Sequence, residues 1–165
     1  MELLPGDGLD RAVRAAWRRL DQAGFGSLAR HRHPTNRPHL TLASAEEFPP
    51  GADAAIAGVL RRLPIRVRLD GLILFGGRAG VLAWAADGGD ALREVQARIW
   101  AALDGADHNP QHQPGAWTPH ISLARRLRPD QHELAARAIG PAVASGELSA
   151  ARSYDSVTRT VIPLP

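Results

Sequence analysis

A six-residue segment occurs twice in this 165-residue chain: Pro38-His39-Leu40-Thr41-Leu42-Ala43 returns as Pro119-His120-Ile121-Ser122-Leu123-Ala124, 81 positions later. Each copy sets a histidine two residues before a hydroxyl side chain, among aliphatic residues. In a β-strand, residues i and i+2 point to the same side. Each copy therefore puts an imidazole and a hydroxyl on one face and two aliphatic side chains on the other. Two such strands side by side would form a pocket with two imidazoles and two hydroxyls. Imidazole, with an unperturbed pKa of ~6.5, takes up a proton in its neutral form and releases one in its charged form. A pair flanking a phosphodiester can divide the work, one accepting the proton of an attacking water and the other protonating the departing oxygen. The hydroxyls would donate to the non-bridging oxygens. A strained 2′,3′-cyclic phosphate would need no metal for this chemistry. A single His-x-Thr on a strand reads as an ordinary polar strand face, whereas six matched positions at half-chain separation read as one shared site of His39, Thr41, His120 and Ser122.

Four amphipathic segments and several extended ones must position that site. Leu9, Val13, Ala16, Trp17 and Leu20 recur at helical spacing over 8–23, with Asp7 as N-cap and Gly24 as stop. Residues 27–33 read as extended and 37–44 as the first motif strand. A second helix is expected from Asp53 to Leu63, ended by Pro64. Ile65-Arg66-Val67-Arg68-Leu69-Asp70 alternates as a half-buried strand does, runs on to Phe75, and turns through 76–80 into Val81–Ala86 as a hairpin. A third helix covers roughly 90–103. Residues 104–117 are too rich in proline, glycine and polar side chains for regular structure and form a lid or a mobile loop. The second motif strand follows at 118–126, a fourth helix starts at Pro129 and runs to about Ile139, and 148–164 supplies one or two strands. The expected fold is α+β and bilobal: two pseudo-symmetric lobes with antiparallel sheets and outer helices around a central cleft, in one domain over residues 1–165.

Composition removes several kinds of chemistry. Cysteine is absent, which excludes disulfides, thiol nucleophiles and thiolate metal sites. All 20 basic residues are arginine, so there is no Schiff base, no lysine of a phosphate-binding loop and no lysyl adenylate. The formal net charge of +3 is uneven, with twelve arginines against eight acids in 1–82 and eight against nine in 83–165. A mild positive bias suits an anionic ligand but equally a solvated arginine surface. The apolar stretches are too short to span a bilayer and the first residues lack the regions of a signal peptide, so a cytoplasmic location is expected.

The motifs in context, Asn36-Arg37-Pro38-His39-Leu40-Thr41-Leu42 and Trp117-Thr118-Pro119-His120-Ile121-Ser122-Leu123-Ala124-Arg125, resemble the paired His-x-Thr/Ser signatures of the two-histidine (2H) phosphoesterase superfamily. The nearest branch is the 2′-5′ RNA ligase-like group, which includes RNA 2′,3′-cyclic phosphodiesterases. The resemblance implies that His39 is the proton donor to the leaving oxygen and His120 the acceptor that activates water. Thr41 and Ser122 would hold the phosphate and Arg125 would pair with it. It further implies hydrolysis of a 2′,3′-cyclic phosphate to a 2′-phosphate, and an ATP-independent reverse 2′-5′ ligation, with no cofactor. Ser122 stands where threonine is common in the family. The stretch before the first helix is short, which would trim the first strand and one wall of the cleft.

Other residues hold two readings each. Arg37 and Arg32 line the entrance of the cleft or lie on the surface. Phe75 and Tyr154 stack on a base or belong to the core, Trp117 packs beside the second motif, and Arg78 touches a polynucleotide or tips a solvated turn. His31 and His33, with His108 and His112, form a metal set or solvent-facing and cleft-rim histidines. The expected partners are RNA ends or small cyclic nucleotides, with no membrane and no obligatory protein partner, the chain acting as a monomer. Three rivals remain open: the same chemistry on a small cyclic nucleotide or an ADP-ribose cyclic phosphate, a non-catalytic module that holds phosphorylated RNA ends, and a metallohydrolase built on His31 and His33.

Overall fold

The computed structural model describes residues 1–76, 80–107, 109–140 and 143–165. In chain order its elements are β1 (Glu2–Pro5), α1 (Asp7–Gln22), β2 (Leu40–Thr41), α2 (Ala52–Leu60), β3 (Ile65–Phe75), β4 (Gly80–Asp87), α3 (Gly89–Ala102), β5 (His120–Leu127), α4 (His132–Ile139), β6 (Val143–Tyr154) and β7 (Val161–Leu164). Among the described residues no helix is long and apolar enough to cross a membrane.

The periodicities decide most of these elements. The apolar stripe of α1 is buried, with none of its five members more than 2% exposed, and Gly24 takes the left-handed backbone (φ 82°) that stops the helix. Gly6 is the N-cap; Asp7 is the first helical residue, where its charge suits the helix N-terminus. In β3, Ile65, Val67 and Leu69 are buried while Arg66, Arg68 and Asp70 face outward. Helix α2 ends at Leu60, three residues short of the expected boundary; the Arg62 and Leu63 N–H groups donate three residues back, to Val59 and Leu60, so the chain leaves the helix through tighter turns before Pro64.

The strands form one antiparallel sheet in the order β2-β1-β6-β3-β4-β5, with β7 also paired to β6. Two separate sheets were expected; one continuous sheet is found because β6 is long enough to serve both halves. Its first part, Val143 to Leu148, pairs with β3, and its later part pairs with β1 on one edge and β7 on the other. The sheet curls so that its two end strands, β2 and β5, come into contact. This places the two repeats, which sit at opposite ends of the strand order, side by side. The helices cover the apolar face in one continuous core.

Two extended segments are shorter than their sequence suggests. Leu28–Arg30 is a 3₁₀ turn whose Ser27 Oγ accepts from the Ala29 N–H. The first motif strand keeps ladder geometry only at Leu40–Thr41, because a strand extends only as far as its partner. Beyond it, Leu42 N–H still donates to the Met1 carbonyl at 3.0 Å.

Candidate active site

Leu40, Leu42, Ile121 and Leu123 are fully buried, which contributes about 1.5–3 kcal/mol for each side chain removed from water. Their strand alternation leaves His39, Thr41, His120 and Ser122 half-buried on the opposite face. The imidazoles are held alike. His39 Nδ1 lies 2.7 Å from the Arg37 carbonyl and His120 Nδ1 lies 2.8 Å from the Thr118 carbonyl, each two residues upstream. A carbonyl only accepts, so Nδ1 carries the hydrogen in both rings and Nε2 is the atom that exchanges protons. Neither motif hydroxyl has a hydrogen-bond partner among the described residues, leaving each O–H able to donate to an anion.

A break in strand regularity brings in the arginine. Simple alternation would put Arg125 on the core side with Ile121 and Leu123. However, β5 spends two residues, Leu123 and Ala124, against one step of β4: Ser122 pairs with Ala83 and Ala124 with Leu82. Both extra-turn residues are fully buried, and the bulge flips the alternation. Arg125 thereby acts on both imidazoles, its positive charge disfavouring the protonated form of each. The bulge is docked on the segment after α1. Arg125 N–H donates to the Gly26 carbonyl at 2.9 Å, and a Cβ at Gly26 would collide with the Arg125 carbonyl oxygen, so only glycine permits this approach.

Two indoles tie the repeats across the seam. Trp17 of α1 donates from Nε1 to the Ser122 carbonyl at 3.0 Å, and Trp117 donates to the Thr41 carbonyl, also at 3.0 Å. Each tryptophan holds the hydroxyl residue of the other half of the chain. Trp117 was expected beside the second motif; its N–H reaches across to the first. The described residues of the 104–117 segment are likewise fastened to the rest of the fold. The buried Asp107 carboxylate accepts from the Ser44 N–H at 2.6 Å, the Asn109 N–H at 2.9 Å and His112 Nδ1 at 2.8 Å. Gln96, also buried, donates to the His112 carbonyl at 2.5 Å and the Leu42 carbonyl at 3.3 Å. Asp107, Asn109 and His112 thereby form part of the wall behind the first motif. His112, with a side chain only 14% exposed, is an internal anchor and not the solvent-facing or rim histidine expected.

The surroundings of the two imidazoles differ. His39 Nε2 lies 3.5 Å from Glu2 Oε1, and Glu2 Oε2 in turn accepts from Arg152 Nε at 2.7 Å. The Phe75 ring packs on His120, with centroids 4.5 Å apart and planes at 50°, so its contact is with the second imidazole. Burial pulls the pKa of His39 below the usual histidine value, opposed chiefly by the Glu2 carboxylate. Burial also lowers His120, and the charges of His39, His112 and Arg125 push it the same way.

The remaining sequence candidates scatter. The Arg37 guanidinium lies 3.9 Å from Asp10 on α1; its contribution to the site is the carbonyl that holds His39. Tyr154 lines a cavity of about 1590 Å³ beside Glu2 and Thr41, with Phe48, Ile56 and Leu164, into which neither motif histidine opens. His31 and His33 meet edge to face at 6.3 Å, and His33 Nδ1 is engaged by the Thr35 hydroxyl at 2.8 Å. Arg32 is exposed. Among the described residues no three His, Asp or Glu side chains gather as a cation would require. Arg78 and His108 lie outside the described residues. Sequence reasoning passed over Glu2, Arg152, Trp17 and Asp107 as site residues. For Glu2 a signal existed: a carboxylate set in the apolar run Met1-Glu2-Leu3-Leu4.

Comparison with known proteins identifies the family. The family model of the 2′-5′ RNA ligase superfamily matches residues 9–153. No curated protein matches the chain at a significant level. Among solved structures, Usb1 of Kluyveromyces marxianus has the same fold, with a TM-score of 0.50 and 13% sequence identity over 99% of this chain and 95% of that one. The two His-x-Thr/Ser strands and the match across most of the sequence lead to one conclusion: the chain belongs to the 2′-5′ RNA ligase superfamily of two-histidine phosphoesterases.

Proposed function

We propose that the protein is a metal-independent phosphodiesterase that opens the 2′,3′-cyclic phosphate of an RNA end or a nucleotide to a 2′-phosphate. The observation that carries this reading is the matched pair of imidazoles. Both have Nδ1 tied to the carbonyl two residues upstream, both present Nε2, and each stands beside a free hydroxyl. Thr41, Ser122 and Arg125 hold the non-bridging oxygens and neutralise the charge that shifts onto them in the transition state. His120 Nε2 takes a proton from water as the water oxygen bonds to phosphorus. The bond from phosphorus to the 3′ oxygen breaks, and His39 gives its Nε2 proton to that oxygen. Exchange with solvent then restores a charged His39 and a neutral His120.

With an RNA 5′-hydroxyl in place of water, the same proton transfers form the bond from that oxygen to phosphorus as the bond to the 3′ oxygen breaks, joining two ends through a 2′-5′ linkage without ATP. Each chain carries both histidines, so one copy holds a whole site and needs no second copy to complete it. Phe75 keeps the His120 ring in place, and Tyr154 in the neighbouring cavity offers a face to a base.

Incubation with 2′,3′-cyclic AMP, followed by phosphorus NMR, tests the reading. The expected product is the 2′-monophosphate, formed at an undiminished rate in the presence of a chelator. His39→Ala and His120→Ala should each lower the rate by about 10²–10⁴-fold. Tight binding without turnover would instead make this a module for phosphorylated ends. Activity lost to chelator and retained in both variants would end the two-histidine mechanism.

A further inference from the structure

The two halves of the site repeat each other in backbone and motif, but one pair of buried charges breaks the symmetry. Antiparallel partners share a face of the sheet. The partner of Thr41 on β1 is Glu2, and the partner of Glu2 on β6 is Arg152. In the other half, the partner of Ser122 on β4 is Ala83. Beside one hydroxyl there is thus a carboxylate and beside the other a methyl group.

We propose that Glu2, held in place by Arg152, is the positioning residue that makes His39 the proton donor of the pair. The inference rests on the phosphodiesterase reading and assigns the division of labour within it. Glu2 and Arg152 expose only 10% and 8% of their side chains. A buried ion pair of this kind stabilises a fold weakly, and apolar residues of similar size would serve stability as well. Its geometry has another use. Arg152 spends Nε on one carboxylate oxygen at 2.7 Å and a terminal nitrogen on the Thr35 carbonyl at 2.9 Å, a few residues ahead of the first motif. The other carboxylate oxygen faces His39 Nε2 at 3.5 Å. At that separation it acts through its charge, which favours the protonated ring, and leaves Nε2–H available to the leaving oxygen.

The charged groups acting on His39 are Glu2 from β1, Arg152 from β6 and Arg125 and His120 from β5; of these, Glu2 alone favours a protonated ring. Those acting on His120 are His39, His112 and Arg125, all of which favour a neutral ring. The backbone carbonyl contacts of the two rings are equivalent. The carboxylate is therefore what separates an acid from a base in two otherwise matched motifs.

Histidine carbon–proton NMR titration, with no substrate present, tests this on the full chain. An opposite charge a few ångströms away shifts a pKa by ~1–3 units, and Arg152 cancels part of that. Glu2→Gln should therefore lower the pKa of His39 by about one unit and move His120 by less than about a third of that. Arg152→Gln should raise His39, the opposite sign, whereas damage to the fold would not reverse direction between the two. In the pH dependence of kcat/KM, the alkaline limb should move down by about one unit in Glu2→Gln, with roughly tenfold loss at pH 7.5. Glu2→Asp, which keeps the charge, should restore most of it. A His39 pKa unchanged in Glu2→Gln, or a His120 shift of equal size, overturns the proposal. If Glu2→Gln does not fold, a His39 that fails to rise in Arg152→Gln overturns it instead. Because titration needs no turnover, its outcome stands apart from whether cyclic phosphates are hydrolysed; an inactive wild type would sink the enzymatic reading alone.

Discussion

The crossed indoles allow the link between packing and chemistry to be measured. Trp17 is 2% exposed and its N–H reaches the Ser122 carbonyl at 3.0 Å. Replacing it with phenylalanine keeps an aromatic ring in the core of α1 but removes the donor and part of the volume. The lost hydrogen bond costs about 0.5–1.5 kcal/mol, more if the carbonyl finds no water. The volume loss, a fraction of the ~3–5 kcal/mol for a full truncation to alanine, adds about 1–2 kcal/mol. A total of ~2–3 kcal/mol, at an m-value of ~2 kcal/mol per molar, lowers the urea midpoint by roughly 1 M. In the proposed mechanism the bonded carbonyl belongs to the residue whose hydroxyl holds the phosphate, so kcat for a cyclic nucleotide should fall about tenfold with KM little changed, equivalent to ~1.4 kcal/mol of transition-state stabilisation. Trp84 provides the control. It is equally buried at 2%, pairs with Ile121 on β5, and its N–H has no partner among the described residues. Trp84→Phe should cost similar packing energy and leave kcat within about twofold. If the two variants lose kcat equally, the indole-to-carbonyl bond does not position the hydroxyl and the reasoning fails.

Burial lowers both His39 and His120, so the bell-shaped profile of kcat/KM should peak on the acid side of ~6.5, and a maximum above pH 7.5 would contradict it. The same shifts act on stability: the unfolded chain binds protons that the folded chain refuses, so stability present above ~6.5 should decline as pH falls toward the lowered values, and less steeply in a His39→Gln/His120→Gln variant when urea midpoints are compared at pH 5 and 7.5. Arg125→Gln should raise KM and weaken competitive inhibition by inorganic phosphate about tenfold or more, while the urea midpoint barely moves, since the side chain is exposed. Asp107→Ala removes the acceptor for two backbone N–H groups and His112. It should cost about 2–4 kcal/mol and open residues 109–116 to limited proteolysis; a protease-resistant segment would show that Gln96 alone suffices to hold it.

Where sequence reasoning succeeded, a short-range rule was enough. The stripe of α1 and the alternation of β3 follow from periods of 3.6 and 2 that each segment expresses by itself. The faces of the motif strands were equally local: leucine and isoleucine inward, histidine and hydroxyl outward. Boundaries failed where a partner sets them. The first motif strand extends only as far as β1 permits, and the long β6 merges two expected sheets into one because its two ends pair with different neighbours. Arg125 could be placed through family resemblance but not through alternation, since a bulge is defined by the count of residues on the opposite strand. The hydrogen bond from Trp117 to the farther motif was not legible in sequence either, since it depends on how the two motif strands meet.

By itself the sequence determined which groups the candidate site would hold: two imidazoles and two hydroxyls on strand faces, in a chain without thiol or lysine. Side-chain type and strand periodicity are properties of a few adjacent residues, and they survive any packing that keeps the strands. Only the tertiary structure decided how the two halves differ. It set Glu2 and Arg152 beside one imidazole, Phe75 beside the other, and an arginine within reach of both. Those are relations between residues far apart along the chain, fixed by register, bulge and sheet curvature, and electrostatic influence depends on separation in space rather than on position in the sequence.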